Sequence, residues 1–117
     1  MNKNSLILIT NQGLHPVITK LKKQFGEIKV CIVTTGNVEL SIRYAEFIAK
    51  KAKDILFENT DSNVFIVWSG MPIYNTVVYN VAKEVSNKEP IFLIWNRDLN
   101  QYEEWNIDAR NLIFQKN

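Results

Sequence analysis

Four short apolar runs, separated by stretches with helical apolar spacing, constrain this chain more than any other feature. Leu6 to Thr10, Ile28 to Val33, Val64 to Val67 and Pro90 to Trp95 are dense in β-branched and aromatic residues, and small polar residues cut each one off. Uniformly apolar strands of this length suit burial on both faces. Strands that alternate with helices are joined by right-handed crossovers, which lay the helices on the faces of a parallel sheet. The expected fold is therefore α/β and Rossmann-like, a parallel sheet of about four to six strands with helices on both faces, in a single domain over residues 1–117.

The helices are read from their stripes. Pro16 opens the first, with Val17, Leu21 and Phe25 inward, Lys20, Lys22 and Lys23 outward and Gly26 at the stop. A second is expected directly after Thr34-Thr35-Gly36-Asn37, residues of the kind that cap helices, and is carried by Tyr44 or Ala45, Ile48, Ala52 and Ile55. In the segment after Ser69-Gly70-Met71-Pro72, the residues Thr76, Val77, Val78, Tyr79 and Val81 favour strands intrinsically. Pro72 and the spacing of Val77, Val81 and Val85 nevertheless select a helix. No charge lies between Ile73 and Ala82, so both sides of this helix are expected to be covered, one of them open to a second subunit. Beyond Leu99 the pattern weakens. Tyr102 to Ile107 can form a strand against a sheet edge, and Leu112 to Phe114 another.

With 46% hydrophobic and 22% charged residues, the chain can bury a core of its own. Fourteen Lys and Arg against 12 Asp and Glu are too evenly matched for a binder of duplex nucleic acid, so any anion site must come from local arrangement. The single Cys31 lies inside an apolar run and reads as a core thiol. One His and one Cys give no metal-ligand spacing, so neither a metal nor a cofactor is expected. Leu6 to Ile9 is too short for a signal peptide or a membrane span, which makes the reducing cytoplasm the expected compartment.

In an open parallel sheet, ligands bind beyond the carboxyl ends of the strands. Those ends carry Thr10, Asn11, Gln12 and Gly13; Thr34, Thr35, Gly36 and Asn37; Trp68, Ser69, Gly70 and Met71; and Asn96 with Arg97. Short loops use such residues routinely, but four such loops on one rim point to a site for an anion. Gly70 lets backbone approach a ligand, and the turn into the helix at Pro72 aims unpaired N–H groups at the rim. Trp68 is placed to stack on a ring, although a core aromatic at a strand end is as simple an account. Arg97 is placed to grip an anion at two points. Trp95 and Trp105 read as core or interface residues, and Lys20, Lys22, Lys23, Lys50, Lys51 and Lys53 as a solvated face. His15 alone titrates near neutrality without help, and a helix-entry histidine is its plainer role.

The dinucleotide fingerprint with three glycines and the phosphate loop ending in Gly-Lys-Ser or Gly-Lys-Thr are absent, which argues against a nicotinamide dehydrogenase or an ATPase. Ser69 stands at a strand-to-helix turn, but Trp68 and Gly70 beside it do not make a hydrolase elbow.

On two segments the chain resembles the small stand-alone CARF proteins (CRISPR-associated Rossmann fold) of type III CRISPR systems. One is Leu6 to Pro16, an apolar strand followed by Asn11-Gln12-Gly13-Leu14-His15-Pro16; the other is Val64 to Trp95, in which Ser69-Gly70 opens a helix before another strand. The middle third matches in the order of strands and helices alone. The resemblance implies a homodimer that binds a cyclic oligoadenylate, such as cyclic tetra-adenylate, across its two-fold axis in antiviral defence, and either holds the ring or cleaves it as a nuclease. On that reading the N–H groups of Gly13, Gly36 and Gly70 meet phosphates, Asn11, Asn37 and Asn75 read adenine edges or ribose, and Trp68 stacks. Cleavage needs no metal: a ribose 2′-hydroxyl attacks its neighbouring phosphate, with Arg97 supplying positive charge and His15 moving a proton.

Val64 to Ala82 also resembles the strand, Gly-x-Pro turn and helix of the mannose-type phosphocarrier domains of bacterial sugar uptake. Those domains carry their phosphorylated histidine in a His-Gly pair after the first strand, where this chain has Gln12-Gly13, with His15 displaced. A third reading is an interaction module with no small ligand.

Overall fold

The computed structural model describes residues 1–13 and 16–107. Leu6 to Ile9, fully buried, form the middle of strand β1 (Ser5–Gln12), and the other elements gather around it. They are α1 (Val17–Phe25), β2 (Lys29–Thr35), α2 (Ile42–Phe57), β3 (Asn63–Val67), α3 (Pro72–Ser86), β4 (Ile91–Asn96) and β5 (Gln101–Trp105). The strand order is β2-β1-β3-β4-β5. The first four strands are parallel, with Ile9 of β1 level with both Ile32 of β2 and Val67 of β3. Strand β5 runs antiparallel to β4, from the Phe92–Trp105 pair to Asn96–Gln101.

The fold is thus α/β and Rossmann-like as expected, with one correction: the sheet is mixed. Only Arg97 to Asn100 separate β4 from β5, a turn closed by the Asn100 N–H on the Arg97 carbonyl at 3.3 Å, and a parallel return needs a far longer crossover. The strand expected over Tyr102 to Ile107 is this one, and the segment Leu112 to Phe114 lies outside the described residues.

Successive side chains of a strand point to opposite faces. Leu6 and Leu8 face α2 and α3, with Ile48, Ala52, Tyr74, Val78 and Ala82. Ile7 and Ile9 face α1, with Leu21, Phe65, Val67 and Leu93. Helix α1 keeps its expected stripe and stops at Gly26, whose N–H closes on the Lys22 carbonyl at φ 81°.

Helix α2 begins later than the sequence suggests. Ser41 is its cap, accepting the Tyr44 N–H at 3.0 Å, because Thr34 gives its hydroxyl to the Thr10 carbonyl at 2.7 Å and cannot cap a helix. Helix α3 has Pro72 in its first turn, but its buried stripe is Tyr74, Asn75, Val78, Tyr79 and Ala82. The stripe is rotated by about one residue from Val77, Val81 and Val85, which are half-buried. On the outer side of α3, the side expected to be open to a second subunit, Ile73, Thr76 and Asn80 are exposed in the single chain. Cys31 is half-buried beside the α2 face, and desolvation is the main cause that pushes its thiol pKa up. Among the described residues no helix is long and apolar enough to cross a membrane.

Candidate functional site

The crossover from β1 goes through α1 on one face, while that from β2 returns through α2 on the other. The chain therefore leaves β1 in opposite senses, and a crevice opens beyond the carboxyl ends of β1 and β3. A cleft of about 440 Å³ occupies it on the α1 side. Val17 and Lys20 from the start of α1 form one wall, Val67 to Gly70 at the end of β3 another, and Trp95, Arg97 and Tyr102 of the β4–β5 hairpin the third. Asn11 and Gly13 close it at the end of β1.

Three aromatic residues, Trp68, Trp95 and Tyr102, are part of the described lining of this cleft. Trp68 is 41% exposed and stands edge-on to Phe92, 5.2 Å between centroids, so it is braced from behind while much of its surface stays open. Trp95 packs edge-to-face on Tyr102 at 4.9 Å, and the Lys20 ammonium lies 4.3 Å from the Trp95 ring centroid. Among the described residues, Lys20 and Arg97 are the cations of the lining, and no carboxylate is part of it. Gln24 holds the hairpin against α1, its Nε2 donating to the Tyr102 carbonyl at 2.8 Å and its Oε1 accepting the Tyr102 N–H at 2.7 Å. Burial pushes the Tyr102 phenol pKa up, so a neutral hydroxyl is what this wall presents.

Behind the cleft a polar network joins three strand ends. The Asn11 N–H donates to Ser69 Oγ at 3.3 Å, and the Ser69 N–H to Asn75 Oδ1 at 3.4 Å. Asn11 Nδ2 reaches the Gly36 carbonyl at 3.4 Å. Gly70 has φ 67°, and a Cβ there would stand 3.1 Å from Asn11 Cβ, so both the turn and the close approach require glycine.

Of the residues singled out in the sequence, Asn11, Gly13, Trp68, Ser69, Gly70 and Arg97 come together in the lining. Thr10 and Asn75 are buried behind it at 1% and 0% exposure. Thr34 is buried, while Thr35, Gly36 and Asn37 stand exposed at the end of β2, outside the cleft. Gln12 pairs with Thr35 at the end of β1. Met71 packs on the opposite face, against the α2–α3 core. Asn96 is tied into the hairpin turn, donating to Glu103 and accepting the Leu99 N–H at 3.1 Å. His15 lies outside the described residues. Five lining residues were not read as site residues: Val17 and Val67, read as core, Lys20, assigned to a solvated face, and Trp95 and Tyr102. The available signal was position, since Lys20 adjoins Leu21 and so flanks the buried stripe of α1.

Residues 10–109 match the family described as Phage Pam3 gp32-like protein. No curated protein and no solved structure matches the chain. The family match overturns the CARF reading, and with it the cyclic oligoadenylate ligand, the ring-nuclease activity assigned to His15 and Arg97, and the role in type III CRISPR defence. The phosphocarrier likeness falls on the same ground. Both rested on strand, turn and helix signatures that encode an open α/β sheet, and that sheet is what Leu6 to Pro16 and Val64 to Trp95 build.

Proposed function

We propose that this chain, which belongs to the Phage Pam3 gp32-like protein family, binds a small planar anion, a phosphorylated or carboxylated ring compound, in the cleft between α1, the end of β3 and the β4–β5 hairpin. One juxtaposition carries the reading: among the described residues, two cations without a carboxylate and three aromatic residues line the place where open α/β sheets take their ligands. A ring laid on the open surface of Trp68 gains apolar contact without displacing a core residue. Its anionic group then meets Arg97, whose planar fork offers two parallel donors, and Lys20, which can turn from Trp95 toward it.

The reading is one of binding. The Ser69 hydroxyl accepts from Asn11 and donates to the Val67 carbonyl at 3.3 Å, and among the described residues no carboxylate lines the cleft to activate it. A lone half-buried thiol at Cys31 suits a reducing compartment such as the cytoplasm.

Tryptophan fluorescence tests the proposal directly, because two of the three tryptophans line the cleft. Riboflavin 5′-phosphate and indole-3-acetate serve as probes, with riboflavin and inorganic phosphate as controls. At least one ring-bearing anion is expected to shift the emission saturably at concentrations up to about 1 mM, and Arg97→Ala to weaken it about tenfold, the scale of a charge-assisted contact. No saturable response to either probe, or equal affinity in Arg97→Ala, overturns the reading.

A further inference from the structure

An open sheet has two edges, and this one treats them differently. At the β5 edge the outward N–H and carbonyl of Tyr102 are both taken by the Gln24 amide, and Glu103 and Glu104 add charge beside them. At the β2 edge, among the described residues, no hydrogen bond from outside the sheet reaches the backbone between Val30 and Thr35, and no charge interrupts Val30 to Val33. A groove of about 330 Å³ runs beside this edge, between Ile32 and Thr35 of β2 and Tyr44, Phe47 and Lys51 of α2, with Phe47 48% exposed. One edge is guarded and the other is not.

We propose that β2 pairs antiparallel with β2 of a second copy of this chain across a two-fold axis passing near Ile32, so that the sheet of one copy continues into the next. Two observations select a copy of the same chain as the occupant. First, Ile32 is the middle residue of β2, so antiparallel pairing about it matches the strand with itself along its whole length. Second, α2 carries opposite charges at Lys51, toward its middle, and at Glu58, which caps its carboxyl end. Lys51 lies in the groove with Ile32 to Thr35, while Glu58 adjoins Asn59, which accepts the Lys29 ammonium at the start of β2. The two-fold axis brings Lys51 against the partner's Glu58 and repeats the pair with the roles exchanged. Lys29, at the same end as Glu58, already donates its ammonium to Asn59 of its own chain at 2.8 Å. Among the described residues neither Lys51 nor Glu58 is in an ion pair within the chain. The pairing leaves the cleft open, because the cleft is walled by α1, β3 and the β4–β5 hairpin, away from β2.

Sedimentation equilibrium of the full chain tests this, with circular dichroism to confirm that each variant is folded. A concentration-dependent dimer is expected. Lys51→Glu and Glu58→Lys each set like charges against one another and are expected to raise the dimer dissociation constant about tenfold or more. The double variant K51E/E58K restores opposite charges across the axis and is expected to return to within about threefold of the parent. A monomer at every concentration, a dimer indifferent to both single changes, or a double variant weaker than either single one overturns the proposal.

Discussion

Gly70 is the residue on which the geometry of the cleft turns most directly. Its φ of 67° costs an L side chain about 1–2 kcal/mol, and an added methyl would press on Asn11, a residue of the cleft wall. Gly70→Ala is therefore expected to lower the unfolding free energy by about 1–2 kcal/mol or more, read as a fall in the urea midpoint at an unchanged slope. A midpoint equal to the parent's would show that the turn relaxes freely. Gly70 was legible because a glycine between an apolar run and Pro72 marks a tight turn from strand into helix. Asn75 was not. Its amide is fully buried, with Oδ1 on the Ser69 N–H, so a residue read as a ligand contact is a strut behind the wall. Lys20 was hidden for the opposite reason: a lysine on a basic helix reads as solvated, yet its alkyl stem follows the apolar stripe and leaves the ammonium over Trp95.

At the scale of elements, the apolar runs foretold β1 to β4, and the stripe of α1 was read correctly. The errors lie at junctions. Helix α2 was expected to follow Asn37 at once, but the chain continues to Ser41, held there by Tyr74, whose hydroxyl accepts the Ser41 N–H at 3.1 Å and donates to the Glu39 carbonyl. That tie links residues 33 apart in sequence, beyond the reach of any local pattern. Ser41 as the cap makes a definite demand. Ser41→Ala is expected to cost about 1 kcal/mol and to lower the melting temperature by a few degrees, while Ser41→Asp, which keeps an acceptor for the Tyr44 N–H, is expected to cost less. Equal losses in the two variants would show that the side-chain acceptor is not what stabilises the start of α2. The antiparallel β5 was only half legible. The sequence marks a strand candidate there, but its direction follows from the length of the turn before it and from the Gln24 amide that receives it.

For the molecule as a whole, stability should be graded from the middle of the sheet outward. Strand β1 has a neighbour on each side and helices over both faces, whereas β5 lies at the edge of the sheet and pairs with β4 alone. Native-state hydrogen exchange is expected to find the Leu6 to Ile9 amides opening only with global unfolding, and those of Gln101 to Trp105 opening through smaller, cheaper fluctuations. Equal protection of the two strands would contradict this gradient. The central place of β1 also bears on how the chain is made. It is synthesised before β2 and β3, which flank it, and β3 ends only at Val67. Until then Leu6 to Ile9, fully buried in the finished sheet, have no slot to enter, and the nascent chain must keep them from other strands in the meantime.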